Sequence, residues 1–281
     1  MKSVLPWLMN LQCSIEVAAA YKSGTQIARV VSEHWCGREL YCPACNSNQI
    51  SPSRVNTPGL DFTCPRCDQA FQLKSSRVWN PKKIVDAGYD AMIRAIRSDS
   101  APNLLVLQYT SEWYVQNLLL IPRMFFSESV IEKRKPLSPT ARRAGWVGCK
   151  ILLSGIPADG KIAIVSSGTP EPREQVRREF ERVRGLGKLP PSLRGWTVDV
   201  LNAIRRLGQS QFSLKELYQL EPELQAAHPH NRNVRPKMRQ QLQVLRDLGL
   251  LDFADKGVYR LVHKKNGGPN GRGVGFYFQN T

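Results

Sequence analysis

The sequence predicts an α/β domain built round a four-cysteine metal site, followed by a small domain of three helices and a hairpin. Three observations predict it. Two Cys-x2-Cys knuckles, Cys42/Cys45 and Cys64/Cys67, stand 18 residues apart. Around and after them, short apolar runs of strand character alternate with segments of helical period. Beyond a Gly- and Pro-rich stretch, residues 195–263 then read as helix, helix, helix and hairpin.

In chain order, residues 1–40 read as mainly helical, because Val17, Tyr21, Ile27, Val30 and Val31 recur at roughly helical spacing. The cysteine-rich stretch 41–67 follows, with Pro43 and Pro65 suiting tight knuckle turns. Phe71-Gln72-Leu73-Lys74 alternates apolar and polar side chains, as a half-buried strand does. Residues 82–97 read as a helix with Ile84, Met92, Ile93 and Ile96 on one side. Asn103 to Tyr109 and Val115 to Ile121 predict a pair of core strands separated by Ser111-Glu112. Ile151 to Leu153 and Lys161 to Ser166 predict further strands, and Glu174 to Val183 a charged helix. Gly185 to Arg194 carries two Gly and two Pro and reads as a linker.

The second domain opens with a helix over Trp196 to Leu207. Ser213 ahead of Glu216 is a capping box for the next. Asn233 can cap a third helix, in whose first turn Pro236 is tolerated. Val234, Met238, Leu242 and Leu245 form its buried stripe, while Lys237, Gln240, Gln241 and Val244 share another face. Gly249 ends it. Leu250 to Val262 then reads as two strands turning at Asp255-Lys256-Gly257. Three helices and a wing make a winged helix-turn-helix, whose third helix enters the major groove. Arg232, Arg235, Lys237 and Arg239 crowd the start of that helix, and Lys256 and Arg260 decorate the wing. The predicted domains are therefore 1–188, 189–263 and a basic, Gly-rich tail, 264–281.

Composition narrows the partners. Forty Lys and Arg against 23 Asp and Glu give a formal charge of +17, which concentrates polyanions and points to nucleic acid or an anionic membrane surface. A 42% hydrophobic content excludes a disordered chain. No apolar run reaches the length of a membrane span. Pro6, Asn10 and Gln12 interrupt the short apolar start, so no signal peptide is read. A cytoplasmic location follows as an expectation. There thiols stay reduced, and the seven cysteines serve metal or packing.

Four thiolates at the spacing of Cys42, Cys45, Cys64 and Cys67 can close a tetrahedral Zn2+ site. Four cysteines leave no open position, so the zinc is expected to be structural. Cys13, Cys36 and Cys149 are left over as packing residues. Asp61 stands three residues before Cys64, and Gln72 and Lys74 just after Cys67. Period-two spacing puts Gln72 and Lys74 on one strand face and turns Phe71 and Leu73 the other way. The second knuckle then becomes the turn of a hairpin with Asp61 on one arm and Gln72 and Lys74 on the other.

This set resembles the PD-(D/E)xK nuclease core, here Pro58-Gly-Leu-Asp61 and Gln72-Leu-Lys74. The resemblance implies a restriction-endonuclease-like fold. Asp61, Gln72 and the Leu73 carbonyl would hold Mg2+, and Lys74 would orient the attacking water or help deprotonate it. Gln72 departs from the pattern, since a carboxylate belongs there. An amide oxygen still ligates a hard cation but brings no charge, so weaker Mg2+ binding is expected. Glu33, on an earlier helix, could supply the missing carboxylate.

A wider resemblance runs in order over about residues 15–263. Pro136-Leu-Ser-Pro-Thr-Ala-Arg-Arg-Ala-Gly-Trp-Val-Gly-Cys149 is similar to a segment of the DpnI-type methyl-directed restriction endonucleases. So are Tyr21-Lys22-Ser23, Tyr41-Cys42-Pro43-x-Cys45, Asp61-Phe62-x-Cys64, Phe71-x-Leu73-Lys74-Ser75, Arg194-Gly-Trp-Thr197 and Arg239-Gln-Gln-Leu-Gln-x-Leu-Arg-Asp247. That family cleaves duplex DNA at GATC when the adenine carries an N6-methyl group, and both of its domains recognise the site. The resemblance implies a Mg2+-dependent, zinc-stapled enzyme of restriction, acting on double-stranded DNA as a monomer. Arg142 and Arg143 would serve phosphate or guanine. On residue chemistry alone Trp146 reads as a core aromatic; the resemblance sets its indole against the N6-methyl groups. Arg235, Lys237, Arg239, Gln240 and Gln241 would face DNA from the third helix of the winged domain. The alternative reading is a methyl-DNA reader or transcriptional regulator whose nuclease site Gln72 has silenced.

Overall fold

A computed structural model describes residues 9–54, 59–78 and 80–262. Pro58 of the nuclease signature and the basic tail with Phe276, Tyr277 and Phe278 lie outside the described residues. In chain order the elements are helix α1 (Gly24–Glu39), strands β1 (Ser51–Pro52), β2 (Phe62–Thr63), β3 (Ala70–Ser76) and β4 (Lys83–Gly88), and helix α2 (Tyr89–Arg97). Strands β5 (Asn103–Tyr109), β6 (Val115–Ile121), β7 (Ile131–Lys133), β8 (Gly148–Leu152), β9 (Ile162–Ser166) and β10 (Thr169–Pro170) follow. Next come α3 (Arg173–Arg184), α4 (Pro191–Arg206), β11 (Gln211–Ser213), α5 (Leu214–Tyr218), α6 (Glu221–Ala227), α7 (Val234–Asp247), β12 (Leu251–Asp255) and β13 (Val258–Leu261). Among the described residues no helix is long and apolar enough to cross a membrane.

The chain divides into two compact units. The first, Met1–Trp79, Pro102–Ile121 and Ile162–Arg178, holds a seven-stranded sheet in the order β1-β2-β3-β5-β6-β9-β10. Among the described residues only β3 and β5 of this sheet run parallel; a parallel pair needs a crossover, and the chain between them contains β4 and α2. Strand β5 is buried almost throughout, which is why it reads as a near-continuous apolar run. Helix α1 turns Val31, Trp35 and Cys36 into the core. The Ser32 hydroxyl pairs with that of Ser75 at 2.8 Å, tying α1 to β3.

The second unit takes Asn80–Ala101, Pro122–Lys161 and Glu179–Thr281. It contains two three-stranded sheets, β4-β8-β7 and β11-β13-β12. Helix α4 buries Trp196, Val198, Val200, Leu201, Ala203 and Ile204, too many positions for one stripe, so it is wrapped on several sides. Ion pairs fix it at both ends. Arg194 Nη2 reaches Asp99 Oδ1 at 2.6 Å. Arg205 donates to both Asp159 oxygens at 2.7 and 2.8 Å, and Arg182 stands 2.7 Å from the same carboxylate. In between, Asp199 accepts from Ser129 at 2.8 Å and bonds His228 Nε2 at 2.8 Å, while the His228 ring stacks on Trp196.

The mixed α/β first part, the four-cysteine cluster and the helix-turn-helix at the C-terminal end agree with the fold class the sequence predicts. Several local expectations need correction. Residues 82–97 are a strand followed by a helix, because Ile84 and Val85 pair with Ile151 and Lys150 of β8. Among the described residues up to 40, only α1 and a 3-10 turn at Ile15–Ala18 are helical, and Gln12 instead bridges Tyr114. The expected linker is packed structure. Gly185–Lys188 is a 3-10 turn, and α4 starts at Pro191, a favoured first helical position. Ser213 and Glu216 form the capping box as expected. Asn233 stands at the N-cap of α7 without a side-chain cap bond.

Candidate active site and metal centre

The cysteine ligands arise from two turns of the first unit. All four Sγ atoms of Cys42, Cys45, Cys64 and Cys67 lie within 4.8 Å of one another. Cys42–Cys67 and Cys45–Cys64 are each 3.6 Å apart. A tetrahedron with Zn–S of about 2.3 Å has edges of about 3.8 Å, so the donor set fits Zn2+. Backbone N–H groups of Ser47 and Arg66 point at Cys45 and Cys64 sulfurs, as suits thiolate acceptors. Burial and the neighbouring Cys67 push the Cys42 thiol well up. Burial also acts upward on Cys64, but the Arg66 and Cys67 N–H groups outweigh it and bring that thiol to about 7. Four sulfurs so close cannot all ionise without a cation among them. The centre also anchors the start of α3: Arg177 donates to the carbonyls of Cys42 and Ser47 at 3.3 and 3.0 Å, and Arg173 and Arg177 both lie over the Tyr41 ring. Cys13, Cys36 and Cys149 are buried.

The second knuckle is the turn of a hairpin. Phe62 pairs with Phe71 and Thr63 with Ala70 in antiparallel register, and the Asp61 N–H donates to Phe71 O at 2.9 Å. Phe71 is the residue Phe62 already faces in the ladder, so Asp61 sits one step out of register, as at a bulge, and leaves the regular pairing. Gln72 and Lys74, two residues apart, share one face of β3. The Asp61 carboxylate accepts the Leu73 N–H at 2.6 Å through Oδ2, which holds it against the strand. Phe71 is fully buried and Leu73 only partly. Glu33, from α1, is near enough for charge interaction: burial raises its carboxyl pKa, Arg29 lowers it, and Asp61 raises it again. The hairpin and α1 thus gather a carboxylate, an amide, a lysine and a second carboxylate in one region of the first unit.

The loop that carries Arg142, Arg143 and Trp146 belongs to the second unit and leaves the β4-β8-β7 sheet between β7 and β8. Leu137 and Trp146 close it by a 2.9 Å N–H to carbonyl bond. Arg142 and Arg143 are exposed and Trp146 is half-buried. The Arg143 guanidinium stands 4.8 Å from the centre of the indole. Trp146 is therefore neither a core aromatic nor free in solvent: it is seated on the sheet and covered by a cation.

On α7, Arg235, Arg239 and Gln240 are exposed and Lys237 half-buried. Gln241 needs correction. It is 0% exposed and accepts the Thr197 hydroxyl at 2.7 Å, so its amide is spent inside the α4–α7 packing and does not face outward. Arg235 pairs with Glu221 at 2.7 Å and lies over Tyr218, and Arg239 donates to the Tyr218 hydroxyl at 3.1 Å. Tyr218 and Glu221 are the residues that sequence reasoning missed; they precede α7 in chain and only the fold brings them to it. The sequence also carries no signal for the cavity of ≈ 790 Å³ lined by Trp196, Asp199, His228 and Ser129.

Comparison with known families gives two consecutive matches. A model described as DpnI, Dam-replacing family, matches residues 9–189. One described as Dam-replacing HTH domain matches residues 192–261.

Proposed function

The chain belongs to the DpnI, Dam-replacing family, and from that premise we propose that it is a methylation-dependent restriction endonuclease which hydrolyses duplex DNA at GATC sites carrying N6-methyladenine. Its working parts are a nuclease domain over 1–188, a winged helix over 189–263 and the basic tail 264–281. It acts as a monomer in the cytoplasm. The observation that carries the reading is the Asp61 carboxylate held at 2.6 Å by the N–H of Leu73, the residue between Gln72 and Lys74.

The donors there suit a hard cation: a carboxylate oxygen of Asp61, the amide oxygen of Gln72 and the Leu73 carbonyl, with Glu33 adding a second carboxylate from α1. Bound Mg2+ would neutralise charge developing on the phosphate and acidify a water. The chain's own residues do the rest. Asp61, fixed by one oxygen to the backbone, keeps the other for binding. Lys74 orients the attacking water or helps deprotonate it, the proton passing on to solvent. Gln72 orients without adding charge, which throws more of the electrostatic work on Asp61 and Glu33. Zn2+ at the four cysteines is structural and fixes the hairpin register.

Recognition falls to two elements. The Trp146 indole meets the N6-methyl groups, with Arg142 and Arg143 on phosphate or guanine. From α7, Arg235, Lys237 and Arg239 meet the backbone, and Gln240 reaches an adenine edge.

Incubating the protein with plasmid from methylating and non-methylating hosts, with and without Mg2+, tests the reading. Fragments at GATC from methylated DNA alone, and only with metal, are expected. A second reading rests on Gln72: a site lacking its carboxylate leaves a methyl-DNA reader. Lys74→Ala separates them, since an enzyme loses cleavage and keeps binding, whereas a reader has no cleavage to lose.

A further inference from the structure

The indole of Trp146 lies against two glycines that face each other across the β4–β8 ladder, Gly88 and Gly148. The two are not equivalent. A Cβ built on Gly148 would meet Cζ3 and Cη2 of the indole at 2.9 Å. One built on Gly88 would stand 3.5 Å from Nε1, an ordinary contact. Neither glycine adopts a positive φ, so backbone conformation does not require glycine at either place. The missing side chain at Gly148 is filled by tryptophan. The loop's backbone is held by its own bonds, Leu137 N–H to the Trp146 carbonyl and Trp146 N–H to the Arg143 carbonyl, so the ring can yield only by turning about its own side-chain bonds, beneath the Arg143 guanidinium.

We propose that Gly148 is a specificity-determining positioning residue: its bare Cα sets the depth at which Trp146 is seated, and thereby the fit of the indole to the methyl groups of the target. This rests on the assignment of Trp146 as the methyl contact. An alanine methyl at 2.9 Å must open to an ordinary carbon separation, which lifts the far end of the indole by about 0.5–1 Å. A reading surface displaced that far loses its match. One methyl-sized apolar contact is worth about fourfold in binding, and two, on a site methylated on both strands, about fifteenfold.

The test is equilibrium binding of a short GATC duplex, methylated and unmethylated, in buffer without Mg2+ and without chelator, so that cleavage plays no part and the four-cysteine site is left undisturbed. Gly148→Ala is expected to lower the methylated-to-unmethylated binding ratio by about four- to fifteenfold. Gly88→Ala is expected to change it by less than about twofold, as its 3.5 Å spacing demands. Phe is shorter than Trp, so adding Gly148→Ala to Trp146→Phe should leave the ratio of the Phe variant unchanged, a coupling that a general loss of stability would not give. A full ratio in Gly148→Ala together with a lost ratio in Trp146→Ala overturns the inference and leaves the assignment of Trp146 standing. A full ratio in Trp146→Ala removes that assignment and the inference with it. Where Gly148→Ala alone does not fold, the double variant decides: folding with the ratio of Trp146→Phe supports the seat, and failure to fold overturns it.

Discussion

Replacing Asp159 by asparagine should destabilise the second unit by about 3–5 kcal/mol, the range for breaking a buried ion pair from one side. The carboxylate is 1% exposed. It accepts Arg205 Nε and Nη2 at 2.7 and 2.8 Å, and Arg182 Nη1 stands at 2.7 Å as an ion pair without hydrogen-bond alignment. Asparagine keeps the shape and removes the charge, so two largely buried guanidinium groups are left facing a dipole. Arg205 keeps one further acceptor, the Val262 carbonyl at 3.1 Å, which favours the lower end of the range. For a body of this size the melting point should fall by roughly 6–20 °C. The effect has a pH signature. Burial alone would raise the Asp159 carboxyl, but the Arg205 hydrogen bonds and the Arg182 charge hold it below the usual carboxylate range. A pKa depressed on folding gives stability that is present above the unfolded value of about 3.9 and lost as pH falls through the folded one. Urea titrations at neutral pH and below about pH 4 should therefore show the two proteins far apart at neutral pH and converging in acid. A neutral-pH difference below about 1 kcal/mol would falsify the claim that Asp159 compensates the two arginines.

Three further outcomes are expected. Stripping zinc with a chelator, or Cys64→Ser, should unfold the hairpin region, because structural zinc contributes on the order of 10 kcal/mol, comparable with the whole stability of a domain; circular dichroism alongside a colorimetric zinc assay reads it, and unchanged spectra after full release of metal would contradict it. Gln72→Glu should lower the Mg2+ concentration for half-maximal cleavage about tenfold, since it adds a charge beside Asp61; an unaltered metal titration would mean that Gln72 does not touch the cation. Thr197→Val should cost about 1–3 kcal/mol in urea unfolding by leaving the buried Gln241 amide without its donor, while DNA affinity at equal folded fraction stays the same; a stability change within 0.5 kcal/mol would place the Gln241 oxygen elsewhere.

What was legible in the sequence lay in short-range chemistry. Spacing alone gathered Cys42, Cys45, Cys64 and Cys67, because each knuckle closes within four residues. The hairpin could be read because a cysteine knuckle closes a tight turn between Phe62-Thr63 and the alternating segment from Phe71. The capping box at Ser213 and Glu216 is likewise a three-residue device. The errors came where distant partners decide. Ile84 and Val85 fit a helix face as well as a strand, and only β8, more than sixty residues on, chose. Pro190 and Pro191 look like a linker until Arg194 is seen against Asp99. Gln241 shares its helix face with polar neighbours, and only Thr197 of α4 takes its amide inside.

The sequence by itself determined the four-cysteine cluster, the hairpin that carries Asp61, Gln72 and Lys74, the strong positive charge and the succession of an α/β part and a helix-turn-helix. These depend on local spacing and composition, which survive without a fold. The tertiary structure decided which arginines are held and by what, that Gln241 is buried, that Glu33 shares the field of Asp61, and that Trp146 is seated on two glycines. Each of these is a pairing between residues far apart in the chain. Such pairings are settled by packing and desolvation, which no local pattern records.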